Sequence, residues 1–272
     1  MPAIARDRLS CGAWAAVAVA ALIFQPISVG ADLRVGLDET VPSAQATRLL
    51  PDGKVFFDAL RQNLARSQDL QKLYAYKERR TNLNLNPFGR LGTGGTRVIE
   101  VTPRPDGAVN RQVLERDGQL VENGPVVRRE SRMPTGRSTV DDVASVVDVA
   151  IDRRDILNGR PAIVVSFHGK PDARPKTREG RLARAFNGLI WVDEDAKEVA
   201  RVEATAIDDI SFGYGVLARL SSGSTVLVQR EPIDRDLWLP TSIRFTGEGR
   251  ALLFRKLIIN FAVDWFDYRK VL

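Results

Sequence analysis

The chain has 272 residues, 44% of them hydrophobic, a formal net charge of +6 and a single cysteine, Cys11. That length is ample for a sizeable core and fits one all-β domain or two small ones. A lone cysteine near the N-terminus excludes a disulfide framework, a Cys-ligated zinc site and a Cys-held iron–sulfur cluster for the rest of the chain.

Arg6 and Arg8 precede an apolar run, Ala13–Phe24, and a small-residue Val29-Gly30-Ala31 site. That order predicts a signal peptide over 1–31, with cleavage near Ala31 and a periplasmic product. An apolar run of this length is too short for a spanning helix, which needs about 20 residues. Cys11 lies before the run, so it is not a lipobox cysteine. Nucleic acid is not an expected partner in that compartment, whereas a basic exported chain suits an anionic membrane surface or an acidic partner.

Residues 32–50 show no period and predict a flexible leader. Over Lys54–Lys72, Phe56, Leu60 and Leu64 fall at i, i+4 and i+8, which predicts a helix. Tyr74–Arg80 then alternates as a strand. Residues 82–97 predict a long polar hairpin tip, and their Gly-rich GTGG run is turn chemistry because no helix follows it. Strands follow near 97–103 and 108–116, with Asp117-Gly118 as a hairpin turn. Residues 123–138 form a basic connection. Ser138 is placed to cap a short helix carrying Asp141 and Asp142, with Val140, Val143 and Val147 as its buried stripe. Asn158-Gly159 is a second hairpin turn, feeding Ala162–Phe167.

Residues Asn187–Glu203 read NGLIWVDEDAKEVARVE, a hairpin with its polar turn at Glu194–Lys197. One strand brings a large aromatic inward and its neighbour mostly small residues, which suits a sheet curving around a space. Further strands are expected near 212–220, 224–231, 237–246 and 250–264, with turns at Ser222-Gly223 and Glu248-Gly249. The fold class that follows is α+β, mainly antiparallel β, with about ten or eleven strands and helices on one side.

No residue set carries catalysis. His168 is the sole histidine, and no GxSxG elbow accompanies it. A single histidine does not anchor a zinc site, and no metal or cofactor is expected. Asp193-Glu194-Asp195 opens like a calcium loop but has Glu198 where that loop needs glycine and Ala204 where it needs glutamate. A non-enzymatic role is therefore expected.

Lys176–Asn187 interrupts the sheet. As a helix it places Arg178, Arg181 and Arg184 in one stripe and Leu182 and Phe186 on another side. Three readings stand: a short surface helix pinned by Leu182 and Phe186, a lid closing a cavity mouth, or a basic contact with membrane or an acidic partner. Phe212 and Tyr214 line such a cavity or are ordinary core aromatics.

The N-terminal helix entering LQKLYAYKERR, together with GLIWVDEDAKEVARVE, resembles the bacterial outer-membrane lipoprotein-sorting superfamily, the LolA-like fold shared with LolB and RseB. The residues that carry the likeness are Gly188, Trp191, Asp193, Arg201 and Glu203. The resemblance implies a single domain over 51–272: an unclosed half β-barrel with helices covering the opening and an apolar cavity for acyl chains. Trp191 would face the concave side, and Val202, Leu182, Phe186, Phe212, Tyr214 and Phe245 are the candidate wall and lid. The implied function is an exported carrier for lipid or lipid-modified protein, with an envelope membrane protein as a further partner. An envelope sensor or protein-interaction module on the same fold is the alternative. A carrier of this kind predicts an apolar cavity of roughly 300–1,000 Å³ under the helices.

Overall fold

Asp52 sets the first element. Its side chain accepts a hydrogen bond from the Val55 amide at 3.0 Å and caps α1 (Gly53–Gln71). The stripe expected from spacing is the buried one: Phe56, Leu60 and Leu64, with Phe57 and Ser67 beside it. The computed structural model describes residues 48–82, 95–122, 124, 126–130, 137–212, 218–235, 237–251 and 255–271. The expected signal peptide, most of the leader, most of the 82–97 tip and Tyr214 lie outside the described residues.

After α1 the chain forms β1 (Tyr74–Asn82), β2 (Gly95–Pro103), β3 (Ala108–Arg116), β4 (Gln119–Leu120) and β5 (Val126–Glu130). Then come α2 (Arg137–Ser145), β6 (Val147–Leu157), β7 (Arg160–Gly169) and α3 (Arg178–Arg184). The last strands are β8 (Phe186–Asp193), β9 (Val199–Ala206), β10 (Ile210–Phe212), β11 (Ala218–Leu220), β12 (Thr225–Asp234), β13 (Leu237–Ala251) and β14 (Arg255–Lys270). All fourteen strands join one sheet in the order β4-β3-β2-β1-β14-β13-β12-β9-β8-β7-β6, with β5, β10 and β11 paired off that path. The path ends on β4 and β6 and does not close. The fold is thus an open, antiparallel α+β half-barrel, with eleven strands along its continuous path.

The two-residue turns behave as their sequences predict. Asp117 and Gly118 both have positive φ (51° and 81°), as do Asn158 and Gly159 (52° and 78°), the conformation that favours Asp-Gly and Asn-Gly in tight hairpins. Three expectations change. Ser138 lies inside α2 and does not cap it, and Val147 opens β6, so it leaves the expected helical stripe. The basic connection holds a strand, β5, paired to β3. Glu248-Gly249 is no turn: β13 runs through it, pairing with Ile258 and Leu257 of β14. The nearby Gly247 answers a packing need, because a Cβ there would collide with the Ser224 hydroxyl.

The main core lies on one face of β7, β8, β9, β12, β13 and β14. It packs against Phe56, Phe57, Leu60 and Leu64 of α1, Val143 and Ala144 of α2, and Leu182 and Ala183 of α3. Fully burying one such Leu or Phe side chain contributes about 1.5–3 kcal/mol. A second cluster joins Tyr74, Leu237 and Leu239. A third, Ala162, Val164 and Trp191, sits on the opposite face of β7 and β8, which is helix-free among the described residues.

One buried polar chain ties α1 to the sheet. The Ser67 hydroxyl donates to Glu198 Oε1 at 2.6 Å, Arg230 Nη1 donates to Glu198 Oε2 at 3.1 Å, and Arg230 Nη2 donates to the Trp238 carbonyl at 2.7 Å. Glu198 and Arg230 are 1% and 7% exposed at the side chain. Removing one member of a buried pair strands the other charge without a counter-ion. Arg230→Ala is therefore expected to cost about 3–5 kcal/mol in urea unfolding. A loss below about 1 kcal/mol would mean water compensates Glu198 after all.

Candidate functional site

The segment between β7 and β8, which the sequence allows to be a surface helix, a lid or a basic contact, is tightly seated. Thr177 caps α3: its hydroxyl accepts from the Gly180 amide at 2.9 Å. Above it, the Asp142 carboxylate of α2 accepts from the Lys176 amide (2.9 Å), the Thr177 amide (2.7 Å) and the Thr177 hydroxyl (2.6 Å). Gly180 allows this approach, since a Cβ there would run into the same carboxylate. At the other end a Cβ on Gly169 would collide with the Arg184 carbonyl, so the end of α3 lies directly on β7. Burial pushes the Asp142 carboxyl up, but hydrogen bonds from Thr177 and Lys176 and the Lys176 charge outweigh it, and the group sits below the usual carboxylate range.

Leu182 and Phe186, the expected lid contacts, are buried at 2% and 0% exposure in the main core. Val202 and Phe245 lie in the same core, Phe245 stacked on Phe261 at 5.1 Å between ring centroids. These four residues share the helix-covered face. Phe212 lies in β10, paired with Ala218 of β11. Of the basic stripe, Arg181 is exposed, and Arg184 is half-buried with Nη1 donating to the Pro171 carbonyl at 3.1 Å. Arg178 opens α3.

Trp191 is set apart from the other candidates. Ile190 and Val192 face the helices, and Trp191 points to the helix-free face with Val164 and Ala162. There its Nε1 donates to Asp155 Oδ2 at 2.9 Å, and the Arg201 guanidinium lies 5.4 Å from the ring centre. Leu189–Val192 is apolar at every position, so alternation alone does not tell which parity meets the helices.

The cavity expected under the helices also changes. That space is occupied by the protein's own Phe56, Phe57, Leu60, Phe167, Leu182 and Phe186. Two open depressions among the described residues lie elsewhere. One, of about 500 Å³, opens on the helix-free face. Strand register sets Leu189, Glu203, Leu227 and Arg244 in one row across β8, β9, β12 and β13, and Thr205, Thr225 and Thr246 in the next. Gly188 forms part of its floor, where a Cβ would collide with the Glu203 carbonyl. The other, of about 280 Å³, lies by the β6–β7 turn between Arg160, Asp193 and Trp238. Arg160 Nε donates to Asp193 Oδ2 at 2.5 Å. Burial raises the Asp193 carboxyl, but Arg160 and the Ala196 and Asp195 amides hold it below the usual range.

Among the described residues no three His, Cys, Asp or Glu side chains gather as a metal site, and no helix is long and apolar enough to cross a membrane. His168 is exposed at the end of β7, paired in register with Asp148 and Asn187.

No family model and no curated protein matches the chain. Solved structures show weak likenesses. An outer membrane lipoprotein-sorting protein domain from Vibrio parahaemolyticus aligns at 12% identity and a TM-score of 0.38, over 78% of this chain and 90% of that one. A DUF1329 family protein from Desulfovibrio piger aligns at 13% and 0.35, over 80% and 92%. A Pseudomonas aeruginosa MucA/MucB complex aligns at 11% and 0.27, over 77% of this chain and 94% of that one. The fold itself rests on the strands and helices described above.

The Asp142 clamp has a pH signature. Its carboxyl is depressed in the folded state, so its contribution is present above the ordinary carboxylate range and is lost as pH falls through the depressed value. Asp142→Asn is expected to destabilise by about 1–3 kcal/mol at neutral pH. The gap between wild type and variant in chemical unfolding should narrow on acidification. A gap that stays constant with pH would show that the carboxylate charge is not what holds α3.

Proposed function

We propose that the protein is an exported envelope binding protein whose ligand is a lipid or a lipid-modified protein. The observation that carries this reading is the unequal attachment of two helices over one continuous apolar sheet face. α1 is fixed through the buried Ser67–Glu198–Arg230 chain. α3 spans seven residues and is held on its polar side by Asp142. Swinging α3 away from α2 and β7, the elements it packs on, would withdraw Leu182 and Ala183 from the main core. Burying acyl methylenes there offsets that opening at about 0.8 kcal/mol per CH₂. The packed interior is then the unloaded, closed state. The task is binding and not turnover: what it needs is apolar wall and a movable cover, with no group of shifted reactivity.

A second reading rests on the groove of the helix-free face. Leu189 and Leu227 flanked by Glu203, Arg244 and three threonines suit a protein segment better than an acyl chain. An envelope sensor or interaction module would use that groove.

Mass spectrometry of organic extracts separates the two. The exported protein, purified without detergent, should carry lipid near one per chain, and a folded Leu182→Asp variant should lose it. A well-folded wild type that carries none contradicts the carrier reading. In that case Leu227→Arg should abolish partner binding while Leu182→Asp leaves it intact.

A further inference from the structure

The connection Lys170–Arg184 carries Lys170, Arg174, Lys176, Arg178, Arg181 and Arg184 against only Asp172 and Glu179. The structure decides which side of it meets solvent. Leu182, Ala183, Ala185 and Phe186 are buried in the main core, and Ala173 packs against it. The apolar side of α3 is therefore committed inward. What remains outside is basic: Arg174, Lys176 and Arg181 are all exposed. Lys170 is paired with Asp148 at 3.2 Å and Arg184 is turned onto the Pro171 carbonyl. No salt bridge among the described residues holds Arg174 or Arg181, and Lys176, although its charge also acts on Asp142, is exposed. The backbone beneath these three is fixed by the Asp142 clamp and the Thr177 cap. Three cations are thus presented outward on a strap that is ordered in the closed state, so its ordering cost is met by folding.

We propose that this strap docks the protein on an anionic lipid bilayer by charge alone, without inserting into it. The inference rests on the envelope binding reading and supplies the surface from which a lipid-modified ligand would be met. Basic residues near an anionic leaflet are attracted within about a Debye length, roughly 8–10 Å at physiological salt. Insertion would need exposed apolar side chains on the strap, and those of α3 face the core. The nearby acids Asp141, Asp172, Glu179 and Asp208 limit the attraction, so the contact is reversible and salt-sensitive. The placement also puts the docked membrane beside α3, the helix whose release would open the apolar face.

Co-sedimentation of the exported protein with vesicles tests this. Vesicles of equimolar phosphatidylglycerol and phosphatidylcholine should bind the wild type, and phosphatidylcholine alone should not. Raising salt several-fold should release the protein. The combined Arg174→Glu, Lys176→Glu, Arg181→Glu variant should bind more than about tenfold more weakly. A control with Lys54→Glu, Arg116→Glu and Arg235→Glu has the same net charge and should bind as the wild type does. Because all six positions are exposed, both variants are expected to fold, which circular dichroism checks. The proposal is overturned if the wild type ignores the anionic vesicles, as it would if an acidic protein were the true partner. Equal weakening of both variants, or equal binding to phosphatidylcholine, overturns it too. Lipid extraction reads acyl-chain binding separately, so loss of docking with retained lipid leaves the carrier reading standing.

Discussion

Three carboxylates in the six residues Asp193–Glu198 are each taken by an arginine from a different strand, and the rest of the structure hangs on that turn. Asp193 takes Arg160 of β7, Glu194 takes Arg154 of β6, and Glu198 takes Arg230 of β12. The backbone closes around the same point. Asp193 Oδ1 accepts from the Asp195 and Ala196 amides, and Lys197 adopts positive φ (53°). Asn63 and Ser67, four residues apart on α1, reach down to it, Asn63 donating to the Ala196 carbonyl at 2.8 Å and Ser67 to Glu198. Arg154 also donates to the carbonyls of Arg48 and Leu49, which ties the segment before α1 to the same place. Such charge-assisted bonds are directional, and together they fix the register of four strands and the seat of one helix.

That arrangement makes the molecule asymmetric in a useful way. One end of the helical layer is tied by buried charges that are costly to separate. The other end, α2 with α3, is tied by neutral amides and a hydroxyl to one carboxylate. The sheet beneath is apolar across six strands, and its opposite face is a patterned surface with a groove, an aromatic under a guanidinium and rows of threonine. On the carrier reading, the protein opens at α3 without loosening α1. It can also present its second face to a partner without opening at all. On the two proposed readings, acyl-chain binding and protein recognition would use different faces, which is why a single substitution can tell them apart.

Much of this was readable in the sequence where the signal is local. The α1 stripe and the two hairpin turns with positive φ follow from spacing and residue type alone. Thr177 and Asp142 illustrate the other case. Each reads as a fitting residue for a helix start, but their meeting is 35 residues apart in the chain and has no local mark. The turn Asp193–Glu198 reads as polar and solvated; its burial comes from arginines 33, 40 and 32 residues away. Strand β6 was missed because its register shifts between Ile151 and Arg153, which breaks the alternation a strand otherwise shows. The face that Trp191 takes has no local mark either, because the run around it is apolar on both parities. Across these cases, what stayed hidden was long-range pairing and face, and both depend on register.

Native-state hydrogen exchange read per residue tests the central claim, that α3 is the element that opens while α1 stays anchored. The account predicts that the protected amides of α3 exchange through a local opening well below the free energy of global unfolding, whereas those of α1 near Ser67 exchange only with global unfolding. Exchange of α1 at or before α3, or a single opening energy for both helices, would contradict it.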